Sequence, residues 1–335
     1  MDDRQENRQA VQTDKQPPQK PSAGNKKVTI LILLLIVAAA IAITISQQND
    51  GPLPTWEEIY TALGFTEPDT SHANDLAVHF IDVGQGDSIL VQAPTGESLL
   101  IDAGENGSGD TVTQYIDQYG DETLEYVIAT HPHSDHIDSL DEVIDAHTVQ
   151  NIIMPRLTQS NTPTTSAYRN LLTSVKKSGA KVIAAKPGFT FSIGKGLCTV
   201  LAPIEQTDDL NNLSVVLRLD WGDTSFLFTG DAESVEEKTI LKSKYADYLD
   251  TDVLKMGHHG SRTSSSSAFL KAVTPDYCVI SCGVGNDYGH PHKETMQKLE
   301  KLDVDILRTD TMGSVRFYSD GQTLSVECDK DAVHN

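Results

Sequence analysis

The run His131-Pro132-His133-Ser134-Asp135-His136 gathers three imidazoles and a carboxylate within six residues, directly after the apolar stretch Tyr126-Val127-Ile128-Ala129-Thr130. Imidazole nitrogen and carboxylate oxygen are the donors that zinc and its neighbouring cations accept. A buried strand ending in such a loop points these groups into one space, which permits metal-assisted hydrolysis. The bland alternative is a polar helix start with histidines on a wet surface. At this composition, H-x-H-x-D-H arises by accident on the order of once in a thousand such chains.

Other strand ends carry matching groups. Leu99-Leu100-Ile101-Asp102-Ala103-Gly104 and Phe226-Leu227-Phe228-Thr229-Gly230-Asp231 both run from apolar residues into Asp beside Gly. Either alone reads equally well as an Asp-capped turn. Beside the His-rich loop they read as ligands, and Asp231 has an oxygen for each of two cations. Val253-Leu254-Lys255-Met256-Gly257-His258-His259-Gly260-Ser261 is another strand ending in His. Adjacent histidines usually diverge, so one is expected to bind metal and the other substrate; the spacing does not decide which. Asp287-Tyr288-Gly289-His290-Pro291-His292 is a weaker signal, equally readable as a surface loop.

The elements that must position these groups follow from periodicity. Strands are expected at 76–83, 88–93 and 98–103, separated by Gly84-Gln85-Gly86-Asp87 and Pro94-Thr95-Gly96-Glu97 turns. Helices near 110–119, 136–146 and 165–178 alternate with strands 125–130, 149–154 and 181–185. The second half repeats the plan, with a hairpin 213–219/224–229, helices 233–243, 265–273 and 293–302, and strands 252–256, 277–282, 304–308, 314–319 and 323–328. This predicts an α/β (α+β) fold of two mixed sheets flanked by helices rather than one doubly wound sheet.

The N-terminal part reads differently. Residues 1–27 are polar and expected to be a disordered cytoplasmic tail, while 28–46 carry no charge and are long enough for a transmembrane anchor. Arg4, Arg8, Lys15, Lys20, Lys26 and Lys27 precede that run and no Lys or Arg occurs in 47–70, so the N-terminus is expected in the cytoplasm and the rest outside. A cleaved signal peptide competes, but the long polar lead favours an anchor. Residues 47–75 read as a linker with one short capped helix, Thr55 to Leu63.

The net charge of −22 argues against extensive nucleic-acid binding, although bound cations would still allow a phosphate-containing substrate. Cys198, Cys278, Cys282 and Cys328 lack metal-finger spacing and read as small buried residues; Cys278 and Cys282 on one strand would lie about 13 Å apart, too far for a disulfide.

His131, His133, Asp135 and His136, followed in order by Asp231 and His258-His259 and preceded by Asp102, resemble the metallo-β-lactamase superfamily, which implies an αββα sandwich over residues 76–329. More narrowly, Phe80 to Ser88, Gly257 to Ser261 and Tyr288 to Pro291 resemble the C-terminal hydrolase domain of ComEC-type competence proteins. Two departures stand out. The superfamily generally supplies a third His to the first metal before the bridging Asp, yet no His lies between His147 and His258; Asn211-Asn212-x-Ser214 occupies that region, as in the ComEC-like branch. The channel helices of ComEC proteins have no counterpart beside the single apolar run.

The resemblance implies two divalent cations, zinc or manganese. His131 and His133 would hold one, and Asp135, His136 and either His258 or His259 the other, with Asp231 bridging. Asp102, Asn212 and Ser261 would orient ligands from behind. A metal-bound hydroxide would attack phosphorus, with Asp135, His259 and His290 in catalytic roles. The expected activity is an extracytoplasmic phosphodiesterase acting on a small or polymeric phosphodiester. Hydrolysis of a lactone or β-lactam carbonyl, and a noncatalytic binding module of the same fold, are the alternatives.

Overall fold

The structure is a computed structural model that describes residues 37, 40–46, 53–55, 71–120 and 123–330. The chain divides into two units, Met1–Asp69 and Thr70–Asn335. In the first, residues 40–46 are helical. Among the described residues no helix is long and apolar enough to cross a membrane. The expected tail, most of the apolar run and the short helix after Thr55 lie outside the described residues.

The second unit opens with β1 (Leu76–Phe80), β2 (Ile89–Gln92), β3 (Ser98–Ile101), β4 (Thr123–Ile128), β5 (Thr148–Met154) and β6 (Lys181–Ala184). A second sheet follows, built from β7 (Thr190–Ile193), β8 (Gly196–Ala202), β9 (Val216–Trp221), β10 (Thr224–Phe228), β11 (Val253–Lys255), β12 (Tyr277–Ile280) and β13 (Asp305–Arg308). β14 (Val315–Ser319) and β15 (Leu324–Cys328) return to the first sheet. Its strand order is β15-β14-β1-β2-β3-β4-β5-β6, and that of the second sheet is β13-β12-β11-β10-β9-β8-β7. Each sheet changes from antiparallel to parallel pairing at an equivalent point, between β3 and β4 in one and β10 and β11 in the other.

The layers follow from period-2 alternation. Leu76, Val78, Phe80, Phe226, Phe228 and Phe317 meet between the sheets. Leu100 and Val127 face the other way, onto Val112, Ile116, Val143 and Leu171 of helices Gly109–Gln118, Leu140–Ala146 and Ser166–Ser178. Leu227 and Leu254 do the same toward Ile240, Phe269 and Leu299 of helices Ser234–Lys242, Ser267–Val273 and Lys293–Leu299. The result is helix, sheet, sheet, helix, as the sequence predicts.

Three details differ. The expected helix 136–146 is two pieces, Ser134–Ile137 and Leu140–Ala146, because the chain turns at Ser139, whose hydroxyl donates to Glu105 O at 2.6 Å. β7 and β8 are not among the expected strands; Gly188, Gly194 and Gly196 break up the run that forms this hairpin. The strand expected at 213–219 begins only at Val216, after a 3-10 turn at Asn211–Leu213. The four cysteines are free, with Cys198, Cys278 and Cys282 buried.

Candidate metal centre

The ligand-bearing loops all leave the C-terminal ends of β3, β4, β10 and β11, the strands at the pairing switch in each sheet. Open sheets commonly place their crevice there. β4 runs into His131, the short helix Ser134–Ile137 presents Asp135 and His136, β10 ends before Asp231, and β11 leads into His258 and His259.

Donor atoms converge in three groups among the described residues: two share Asp231, and the third is Asp87, Asp102 and His136. Asp135, His136, Asp231 and His259 form the first; His131, His133 and Asp231 form the second. Asp231 Oδ1 lies 3.1 Å from His136 Nε2 and 3.4 Å from His259 Nε2, and its Oδ2 lies 3.8 Å from His131 Nε2. His259 Nε2 is 3.3 Å from Asp135 Oδ2, and His131 Nε2 is 3.0 Å from His133 Nδ1.

The outer ring nitrogens of two of these histidines are tied down. His136 Nδ1 meets Asp102 Oδ2 at 2.7 Å, and His259 Nδ1 meets Ser281 O at 3.0 Å. Such partners fix the tautomer and leave Nε2 as the free donor. His136 Nε2, His259 Nε2 and Asp231 Oδ1 are indeed buried without a hydrogen-bond partner. Buried polar atoms are rarely left so, and three of them meeting within ion-pair distance fit a divalent cation.

Electrostatics agree. Burial lowers the basicity of His136, but Asp231, Asp102 and Asp135 outweigh it and hold the imidazole well above its ordinary range. For His259 burial is likewise overcome, by Asp231 and Asp87, giving about 9. At His131 burial, then the neighbouring His136, outweighs Asp231 and holds the imidazole well below the ordinary value. The carboxylates thus create a strongly anionic pit that a cation would neutralise.

Local backbone geometry makes this possible. Asp102 (φ 56°), His258 (φ 50°) and His259 (φ 53°) adopt left-handed conformations that side-chain-bearing residues seldom take. Two such residues in succession turn the His258 and His259 rings 74° apart. His259 is buried among the ligands, whereas His258 points Nδ1 toward Glu233 Oε1 at 3.2 Å and Nε2 toward Asp231 Oδ2 at 3.5 Å at the cleft wall. Gly86, at φ 149°, has no room for a Cβ because Asp135 O packs against it.

Asp102 accepts from Thr130 N at 2.8 Å and Thr130 Oγ1 at 2.6 Å besides His136. Asn212 and Ser261, expected behind the ligands, bond elsewhere. Asn212 Oδ1 accepts from Glu233 N and Glu236 N at the start of the helix after Asp231, and Ser261 Oγ pairs with Thr263 Oγ1. Ser214 instead touches the centre's backbone, its Oγ accepting from Asp231 N at 3.1 Å.

Two residues behind the site, Lys255 and Asp87, carry no donor-spacing signal in the sequence. Lys255 is fully buried, and its Nζ donates to Asp87 Oδ2 at 2.6 Å and Met256 O at 3.1 Å. Asp87 Oδ1 lies 3.3 Å from His259 Nδ1. That nitrogen's hydrogen bond goes to Ser281 O, so Asp87 acts on the ring by charge. Burial raises the Asp87 carboxyl, but Lys255, then His259 and His136, bring it to about 2.

A cleft of about 400 Å³ opens over the centre, lined by Gln85, His133, Asp135, His258, Tyr288 and His290 among others. Gln85 Nε2 and His290 Nδ1 are buried there without partners. The His290 ring lies between those of His259 and Tyr288, at 6.0 and 5.6 Å, and Asn286 brackets its backbone with bonds of 2.9 and 2.6 Å. Burial, then the neighbouring His259 and His258, hold His290 down at about 4.

Residues 81–284 match the family model of the Metallo-beta-lactamase superfamily. "ComE operon protein 3" of Bacillus subtilis (strain 168) is 30% identical over 259 residues, covering 72% of this chain and 32% of the relative. "Competence protein ComA" of Neisseria gonorrhoeae is 30% identical over 256 residues, covering 75% and 33%. The chain therefore spans about a third of the length of these relatives. Among solved structures, the metallo-beta-lactamase fold protein YhfI from Bacillus subtilis matches with a TM-score of 0.45 and 15% identity, over 69% of this chain and 96% of that one.

Proposed function

The chain belongs to the metallo-beta-lactamase superfamily, and from that premise we propose that it is a metal-dependent phosphodiesterase acting outside the cytoplasm. The observation that carries this reading is the division of Asp231, with Oδ1 beside His136 and His259 and Oδ2 beside His131. One carboxylate shared by two donor groups suits a cation pair. His131, His133 and Asp231 would hold one member, and Asp135, His136, His259 and Asp231 the other. When bound, such a pair supplies an activated water and neutralises charge developing at phosphorus.

The chain's own residues do the rest. Asp102 holds the His136 ring in place, and Ser281 O holds that of His259. Gln85 Nε2 and a nitrogen of His290 offer hydrogen-bond donors on the cleft wall, suited to the non-bridging oxygens of a phosphoryl group. With its pKa at about 4, His290 is neutral near pH 7 and serves by donating a hydrogen bond rather than as an imidazolium. The extracytoplasmic location rests on the basic residues before the apolar run and their absence after it.

The test uses the full chain supplied with zinc or manganese and offered bis-nitrophenyl phosphate, a lactone and a chromogenic cephalosporin. Turnover of the phosphodiester, lost in Asp231→Asn, is the expected result. Hydrolysis of the carbonyl substrates alone would sink the assignment.

A further inference from the structure

The charge of this acidic chain is not evenly spread. It holds 48 acidic residues, yet none occurs between Asp145 and Glu205, an interval with seven Lys or Arg. That interval supplies β5, helix Ser166–Ser178, β6, β7 and β8, including the edge strand of each sheet on one side of the sandwich.

Within it, a helix, turn and strand from Arg169 to Val182 combine positive charge with exposed apolar groups. Helix Ser166–Ser178 buries Ala167, Tyr168, Leu171 and Val175 against the first sheet. Its opposite stripe, at helical spacing, is Arg169, Leu172 and Lys176. Leu172 is 42% exposed. The helix closes at Gly179 (φ 73°), and two residues later β6 begins with Lys181 and Val182. Ile183 packs into the inter-sheet core, so Val182 points to the helix-bearing side. β6 is the last described strand of its sheet, and Val182 is 56% exposed. Lys177 is matched by Asp145 at 2.9 Å, whereas no described carboxylate pairs with Arg169, Lys176 or Lys181.

We propose that Arg169, Leu172, Lys176, Lys181 and Val182 form a docking surface for an anionic lipid bilayer. Basic side chains beside exposed aliphatic ones match a headgroup layer, where charge draws the surface in and apolar groups enter the acyl boundary. A hydrophilic polyanion would satisfy the lysines but leave Leu172 and Val182 in water. The concentration of positive charge in one interval, against −22 overall, would also orient the domain toward an anionic surface with this side foremost. The inference is independent of the catalytic reading, since none of these residues lines the cleft.

The test places an environment-sensitive fluorophore on Val182→Cys in the full chain with its half-buried free thiol removed by Cys328→Ser, presents vesicles of phosphatidylcholine alone or mixed with phosphatidylglycerol, and follows hydrogen exchange over residues 166–184. Because the reporter is local, attachment through any other part of the chain does not register. A blue shift and slowed exchange with anionic vesicles, absent with neutral ones and weakened at least about tenfold in K176E/K181E, is the expected result. Equal responses to both vesicles, or none, would overturn the proposal. A response to soluble polyphosphate but not to vesicles would overturn it too and assign the surface to an anionic polymer. If the double variant misfolds, the two vesicle types and added salt still decide with the unreversed chain.

Discussion

Lys255 Nζ and Asp87 Oδ2 form a fully buried ion pair of 2.6 Å between residues 168 positions apart, directly behind the imidazoles of His136 and His259. Removing one partner strands a charge, which typically costs about 3–5 kcal/mol. Lys255→Met should therefore be strongly destabilised in denaturant unfolding, and Asp87→Asn/Lys255→Met should recover much of the loss. Equal stability of the single and double variants would deny the coupling.

Asp102 accepts from both Thr130 and His136. Asp102→Ala frees the His136 ring, and loss of such a support typically weakens a metal site about 10- to 100-fold. Cobalt titration followed by visible absorbance should show one weakened site and one nearly unchanged. Two unchanged sites would assign Asp102 to structure alone.

At Gly86 (φ 149°) an added Cβ would collide with the backbone carbonyl oxygen of Asp135. Gly86→Ala must push the Asp135 loop outward, so it should lower metal affinity at the Asp135, His136 and His259 group while leaving the global unfolding midpoint less affected. A variant with parental affinity would show that the loop tolerates the shift.

How much of this was legible depends on separation along the chain. Asp102 and Asp231 could be read because each ends an apolar run beside Gly, and the His131 to His136 loop because its donors are contiguous. Lys255 could not: within Val253-Leu254-Lys255-Met256 it resembles the outward residue of a strand, and its partner is remote. The choice between His258 and His259 rests on two successive left-handed residues, a backbone state that residue types do not announce. Asn212 was expected near the ligands because of its neighbourhood, but it caps the following helix, a role set by three-dimensional placement.

His79 is buried on the outer face of β1, 3.1 Å from Tyr115 Oη, and burial, then Arg316, lowers it from 6.5 to about 3. The unfolded chain binds this proton at higher pH than the folded one, so stability is fully present above about pH 6.5 and declines as pH falls toward 3. Between pH 6.5 and 5 the loss is about 2 kcal/mol. His79→Gln should flatten that part of the stability profile. An unchanged slope would place the acid sensitivity elsewhere.

If the Asp231 carboxylate serves both donor groups, the folded chain should hold two cations at once. Elemental analysis of the folded full chain after equilibration with zinc or manganese and removal of free metal tests it most directly. Two equivalents per chain are expected, falling to one or none in Asp231→Ala; a parent chain that retains one equivalent or fewer would rule out a shared Asp231.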